Sequence, residues 1–185
     1  VLPFHRWALG YNDGLKPLDL DGLMAYAART LSSRAQSISE LRAKLKRRAA
    51  RPENVNEVLA RLKQLGYLND QRFAESFANL RRENQGFGKD RVLRDLLARR
   101  VAPELARQAA QAAYEQTDET TLIENFLARK YRGKDLGALL AEPKDLASVY
   151  RKLRMAGFSG GNSIRVLKRY AAEAERLEEL EDGPE

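Results

Sequence analysis

A helical pattern of apolar residues returns three times in this chain, and that repetition limits its possible folds more than any other feature. It reads Leu41-Arg42-Ala43-Lys44-Leu45, then Val92-Leu93-Arg94-Asp95-Leu96, then Val149-Tyr150-Arg151-Lys152-Leu153. Each copy sets two apolar residues four apart, about one helical turn, with basic residues between or beside them. The first apolar positions are 51 and then 57 residues apart. Self-similarity at a period near 50 marks one small unit copied in tandem, each copy burying its apolar face against its neighbours. Strand alternation is weak, and every strong apolar pattern has the helical period. The pattern predicts an all-α scaffold with a long surface.

The chain divides on turn chemistry. Pro3, Gly10, Asn12-Asp13-Gly14 and Pro17 make residues 1–19 an irregular arm. A first three-helix repeat is expected over 20–66. Asp21 can cap its first helix, Ser37 or Ser39 its second, and Pro52 opens its third, which Gly66 ends. Ser37-Ile38-Ser39-Glu40 has the capping-box spacing. A second repeat is expected over 67–116, with stripes Phe73, Ala74, Phe77, Leu80, then Val92, Leu93, Leu96, Leu97, then Leu105, Ala109, Ala112, Ala113. Gly86 and Gly88 break its first helix from its second, and Pro103 opens its third. The third repeat, over 117–172, carries an insertion at roughly 132–144 that lengthens its spacing. Nine helices in all are expected, followed by an acidic tail over 173–185.

Charge is distributed unevenly. The chain of 185 residues carries +7 in total. Residues 29–100 hold 18 Lys/Arg against 8 Asp/Glu, net +10, whereas residues 173–185 hold one Arg against seven acids, net −6. A basic body attracts polyanions, chiefly nucleic acid. An acidic tail can compete for that surface or keep the protein soluble. There is no Cys, which excludes disulfides and thiolate metal sites and fits a reducing cytosol. No stretch approaches the roughly 20 apolar residues of a membrane span, and residues 1–20 lack the pattern of a signal peptide. A soluble, cytoplasmic protein is expected.

Nothing in the residues points to catalysis. His5 is the only His, too few for a His-based triad or a zinc site. Gly86-Phe87-Gly88-Lys89-Asp90 has the wrong flanking spacing for a phosphate loop, and no Ser or Thr follows the Lys. No pocket signature gathers the Asp and Glu residues for acid–base work. The chain reads as a non-enzyme without metal or cofactor.

The candidate binding residues are the cations. Lys44, Arg47, Arg48 and Arg51 have the spacing of one helix face, opposite Leu41 and Leu45. Arg42 and Lys46 flank them. Arg81, Arg82, Arg91, Arg94, Arg99 and Arg100, then Arg151, Lys152 and Arg154, fall on the corresponding edges of the later copies. Their bland reading is a solvated helix surface; the excess of +10 favours contact with phosphates or an acidic partner. Gly66-Tyr67-Leu68-Asn69-Asp70 is the sharpest short motif. Gly66 ends a helix in a left-handed turn, Leu68 packs as a staple and Asn69 or Asp70 caps the next helix. Tyr67 can stack on a base, but a joint between units is its expected role.

Ser37 to Leu45, the Gly66–Asp70 turn with Phe73-Ala74, the stretch Gly86 to Val101 and Gly157-Phe158-Ser159 together resemble the RecX family, regulators of the bacterial RecA recombinase. The resemblance covers about residues 23–170 in matching order. It implies three tandem three-helix repeats in an elongated, curved all-α body. It also implies binding in the groove of the RecA–DNA filament, inhibition of its assembly, strand exchange, ATPase and co-protease activities, and so of the SOS response, with direct binding to single- and double-stranded DNA. Such a body can act as a monomer. Carried over by position are only Gly66, Leu68, Asp70, Phe73 and Gly88, and the basic character of the second helices. The arm and the acidic tail match no pattern of the family. A general nucleic-acid-binding helical protein with no recombinase partner is the competing reading.

Overall fold

The computed structural model describes residues 16–171 and 174. Among the described residues there are ten α-helices and no β-strand, only an isolated bridge between Leu18 and Ala49. The chain separates into two compact units, Val1–Phe73 and Ala74–Glu185. Most of the arm and nearly all of the acidic tail lie outside the described residues.

The first unit holds α1 (Leu20–Ser33), α2 (Ile38–Lys46) and α3 (Pro52–Gln64). Asp19, not Asp21, caps α1: its side chain accepts the Gly22 N–H at 2.9 Å, and Asp21 sits in the first turn. Ser37 caps α2 in a full capping box with Glu40. Pro52 opens α3, where its missing N–H has no partner to lose. Leu23, Ala27, Leu41, Leu45, Val55, Val58, Leu59, Leu62 and Leu68 form one core. Beyond α3, Tyr67 N–H donates to Leu62 C=O and Gly66 N–H to Lys63 C=O, with Gly66 at φ 75°. These bonds occupy carbonyls the helix leaves unpaired.

The second unit continues with the remainder of α4 (Asp70–Leu80) and a π-helical turn over Arg81–Gln85, ended by left-handed Gly86. Then follow α5 (Lys89–Ala98), α6 (Pro103–Tyr114), α7 (Glu119–Lys130), α8 (Leu136–Leu140), α9 (Pro143–Ala156) and α10 (Gly160–Leu167). Its largest core gathers Ile123, Leu127, Leu140, Leu146, Val149, Leu153, Phe158, Ile164 and Leu167. The insertion contains a helix of its own, so ten helices stand where nine are expected. Asp135 accepts the Ala138 N–H and starts α8, which buries Leu140. Five residues are too few to show a helical period. In α6 the buried face is Ala106, Ala109, Ala110 and Ala113, so Leu105 and Ala112 are off phase. Leu80 is exposed because α4 buries Ala74 and Ala78, and Leu80, two residues beyond Ala78, falls on the opposite side of the helix. The three apolar pairs behave alike: Leu41, Leu45, Val92, Leu96, Val149 and Leu153 are all at most 2% exposed.

Two glycines allow the second unit to close. Gly88 N–H donates to Ala156 C=O at 2.9 Å, and Asp90 N–H to Gly157 C=O at 3.2 Å. The N-terminus of α5 therefore supplies donors to the C-terminus of α9, a favourable meeting of opposite helix ends. A Cβ on Gly88 would lie 2.2 Å from the Gly157 oxygen, and one on Gly157 would lie 2.2 Å from the Arg91 nitrogen. Only glycine permits this approach from either side.

Candidate nucleic-acid interface

The cations of the first unit divide into two kinds. Helix α2 stops at Lys46, with Arg47 as its cap, Arg48 in the turn and Arg51 before α3. The i, i+3, i+4, i+7 spacing of Lys44, Arg47, Arg48 and Arg51 therefore does not form one helix face, because the helix ends inside it. Arg48 turns inward and stacks over the Tyr26 ring at 5.3 Å. Its backbone C=O accepts the Leu18 N–H, and Leu18 C=O accepts the Ala50 N–H. Arg42 donates to Asn56 Oδ1 at 2.7 Å and bridges α2 to α3. Lys44 is half-buried, while Lys46, Arg47 and Arg51 present their charge to solvent.

The second unit commits more of its cations internally. Arg81 lies over Phe77 at 4.9 Å and over Phe87 at 5.8 Å, and pairs with Asp95 at 3.4 Å. Arg91 covers Phe87 at 5.4 Å and pairs with Asp95 at 3.0 Å; Arg99 covers Phe77 at 5.4 Å. Two rings and one carboxylate thus hold three guanidinium groups, through cation–π attraction and charge pairing. Arg82 donates to Ala113 C=O and Thr117, Arg94 to Met155 C=O, and Arg154 to Phe158 C=O. The Ala113 and Met155 carbonyls lie in the last turns of α6 and α9, where the helix leaves them open. Lys152 sits over Tyr131 at 5.7 Å. Arg100 and Arg151 face solvent. Arg100 does so from a left-handed backbone, φ 58°.

Of the sequence candidates, then, Lys46, Arg47, Arg51, Arg100 and Arg151 are exposed and make no side-chain hydrogen bond or ion pair among the described residues, whereas Arg48, Arg81, Arg82, Arg91, Arg94, Arg99 and Arg154 serve the fold. The motif positions are structural in distinct ways. Leu68 is buried and Asn69 Oδ1 accepts the Arg72 N–H. Asp70 Oδ1 accepts the Ile38 N–H and so helps cap α2. Phe73 is half-buried and Gly88 makes the close approach to Gly157. Tyr67 is 67% exposed, beside Leu65 at 62%. The buried residue of the motif is Leu68, which packs in the core of the first unit.

Sequence reasoning missed the polar network at the start of α10. Glu119, the first residue of α7, accepts the Ser159 N–H at 2.9 Å, the Ser159 hydroxyl at 2.5 Å and the Asn162 amide at 2.6 Å. Burial pushes its carboxyl up, but these hydrogen bonds, with the nearby Lys89 charge, outweigh burial and hold it below the usual glutamate range. Asp118 beside it is held at about 2 by the hydroxyl and N–H groups of Thr121 and Thr120. Tyr114 donates to Phe87 C=O, and burial raises its phenol far above the usual range. No short spacing links residue 119 with residues 159 and 162, so no local signal marks that network. The Phe77–Arg81 pair, by contrast, has i, i+4 spacing that could have been read.

Among the described residues no three His, Cys, Asp or Glu side chains are grouped to hold a metal ion, and no helix is long and apolar enough to cross a membrane.

Comparison with known proteins gives this arrangement its context. Residues 24–62 match the family described as RecX, first three-helix domain, and residues 69–109 match RecX, second three-helix domain. A regulatory protein RecX of Deinococcus radiodurans is 36% identical over 162 residues, covering 88% of this chain and 74% of that protein. One from Trichlorobacter lovleyi is 32% identical over 132 residues, covering 71% and 84%. A crystal structure of RecX from Lactobacillus salivarius superposes with a TM-score of 0.61 at 18% identity, over 83% of this chain and 97% of that one, which speaks for the fold alone. By its sequence likeness to relatives matched over most of their length, and by its helical fold, the chain belongs to the RecX family.

Proposed function

We propose that this chain is a regulatory protein that binds the RecA recombinase–DNA filament and inhibits its assembly and its recombinase, ATPase and co-protease activities. The observation that carries the reading is the 36% identity to a regulatory protein RecX over 88% of the chain. The regulator acts without chemistry of its own, in the cytoplasm, as a monomer whose units lie along the filament. Its three repeats take the bounds 20–66, 67–116 and 117–172. DNA contact goes through the cations that the fold leaves outward, chiefly Lys46, Arg47, Arg51, Arg100 and Arg151. A long filament offers regularly spaced phosphates, and tandem copies of one basic element suit such a surface. The test is ATP hydrolysis by RecA on single-stranded DNA as the protein is titrated in. Falling hydrolysis and shorter filaments are expected; no change at several-fold excess would overturn the proposal.

The excess of +10 over residues 29–100 also suits a plain nucleic-acid binder with no recombinase partner. Binding to bare and to RecA-coated DNA at physiological salt separates the two. Preference for the coated form supports the regulator, and equal or weaker binding supports the plain binder.

A further inference from the structure

Four of the six residues from Arg129 to Lys134 are cations, and none is an acid. They span the end of α7 and the turn into α8, at the head of the insertion in the third repeat. The two matched family domains, residues 24–62 and 69–109, both end before this turn. Two of the four cations have local reasons to be there. Arg129 and Lys130 lie in the last turn of α7, where the helix dipole favours positive charge. Arg129 also donates to Gln85 C=O, and Lys130 sits over the Phe126 ring at 5.8 Å. Arg132 and Lys134 have no such role. Both lie beyond the helix end, are exposed and make no side-chain hydrogen bond or ion pair among the described residues.

The turn that carries them is pinned. Tyr131 N–H donates to Leu127 C=O at 2.9 Å, Lys134 N–H donates to Tyr131 C=O at 3.0 Å, and the Tyr131 ring packs against the core of the second unit. Lys152 reaches the same ring from α9: its Nζ donates to the Tyr131 hydroxyl at 3.4 Å. An ammonium has three donors, so two of its N–H groups are left over. Arg132, Lys134 and Lys152 therefore stand on or against one short, fixed turn. The nearest acid in sequence, Asp135, accepts the Ala138 N–H at 3.1 Å and starts α8. The tip of the turn meets open space. Gly133 is left-handed at φ 77°, and a Cβ there would find nothing within 4 Å. Like charges held this close repel one another, and a bound anion relieves that repulsion. A guanidinium fork and two ammonium groups are the donors that phosphates take, and several of them together suit a chain of phosphates.

We infer that the α7–α8 turn, with Arg132, Lys134 and Lys152, is a phosphate-contact site of the third repeat and takes the backbone of a nucleic-acid strand. The site rests on the proposed nucleic-acid function and adds to it an element that the repeated basic helices do not supply. In the third copy the second helix, α9, spends Arg154 on Phe158 C=O and turns Lys152 toward Tyr131. Its contact with phosphate thereby moves from the helix to the turn.

The test measures binding of the full chain to a single-stranded oligonucleotide at several salt concentrations. Arg132→Gln together with Lys134→Gln should lower the salt slope by about 1.4, at roughly 0.7 per lost phosphate contact. Over a fourfold rise in salt the wild type should then lose about seven times more affinity than this variant. Arg72→Gln together with Arg165→Gln removes the same charge at two other exposed positions and should keep the wild-type slope. Both double variants should melt with the wild type, as surface changes do. A second readout is the Gly133 amide resonance, which should shift with the oligonucleotide and return at about 1 M salt, where the screening length is about 3 Å. A wild-type slope in the turn variant, with a lowered slope when Lys46, Arg47 and Arg51 are changed to Ala, would overturn the inference and leave the proposed nucleic-acid contact standing. Equal loss in both double variants would also overturn it, because net charge alone would then explain the effect. A Gly133 shift with inorganic polyphosphate but none with the oligonucleotide would overturn nucleic acid as the occupant. Failure of the wild type to bind any single strand would remove the inference together with the DNA contact it rests on.

Discussion

Among the described residues, Arg100 is the one non-glycine residue with a left-handed backbone. It follows α5 at φ 58°, where Val101 N–H donates to Leu96 C=O and Arg100 N–H to Leu97 C=O. The same pair of bonds closes α9, where Phe158 N–H reaches Leu153 and Gly157 N–H reaches Arg154. Glycine thus stands in the third copy where arginine stands in the second. A left-handed non-glycine residue costs roughly 1–2 kcal/mol. Glycine returns part of that by loosening the unfolded chain, about 0.4–1 kcal/mol. Arg100→Gly should therefore stabilise by about 0.5–1 kcal/mol, a rise in Tm of about 1–4 °C, while removing one outward cation. Thermal melts check the first effect and the salt dependence of DNA binding the second; a lower Tm would show that the guanidinium has a structural partner in solution. Glu119 makes a prediction about pH. Its folded pKa lies below the usual value, since hydrogen bonds from Asn162 and Ser159 and the Lys89 charge outweigh burial. A group with a depressed folded pKa stabilises above its unfolded pKa, and the contribution is lost as pH falls through the folded one. Glu119→Gln should cost about 1 kcal/mol near neutral pH, discounted for partial exposure. The difference from wild type should close as pH falls below the ordinary carboxylate range. Urea melts across that range check it, and a constant difference would mean that shape, not charge, holds the contact.

Helices show which parts of the structure a linear reading can reach. Their apolar phase was legible because the cores select residues at helical spacing, and the three equivalent pairs from Leu41 to Leu153 are all buried. The capping box at Ser37 and the proline starts at Pro52 and Pro103 were legible too, since they depend on residues only one to three positions apart. What lay beyond reach depends on distant pairs. Gly88 was readable as a helix break, but not as the surface against which Gly157 packs. The basic stripe was misplaced because ending α2 at Lys46 depends on Leu18, which bonds the backbone of Arg48 and Ala50 from outside the helix. Glycine substitutions separate the two kinds of requirement. Gly88→Ala and Gly157→Ala each drive a Cβ to within 2.2 Å of backbone. Over-packing costs about 1–3 kcal/mol and more where backbone must move, so both should exceed 3 kcal/mol. Gly66→Ala, at φ 75° with nothing within 4 Å of the new Cβ, should cost only the conformational penalty of about 1 kcal/mol. Equal costs in denaturant melts would mean that the α5–α9 approach relaxes.

For the molecule as a whole, a net charge of +7 says little about binding until the cations are sorted by what already holds them. Counting alone treats Arg47 and Arg81 as equals. Arg47 is exposed at the end of α2, whereas Arg81 sits between Phe77 and Phe87 and against Asp95, whose side chain is 17% exposed. A phosphate approaching Arg81 would have to replace contacts the fold already uses; one approaching Arg47 meets an exposed side chain. The two sets should therefore fail differently. Lys46, Arg47 and Arg51 changed together to Ala should leave stability nearly intact, since surface changes usually stay within about 0.5 kcal/mol each. The same triple change should lower the salt slope of single-strand binding by about 2, at roughly 0.7 per lost phosphate contact. Arg81→Ala should instead destabilise by about 1–3 kcal/mol, because it strips two ring contacts and one partner from a largely buried carboxylate. Its salt slope, measured where the variant is fully folded, should match wild type. Denaturant melts paired with binding titrations at several salt concentrations read both quantities. A flattened slope for Arg81→Ala without loss of stability would place that guanidinium in the interface. An unchanged slope for the triple variant would move DNA contact away from the first unit, to Arg100 and Arg151.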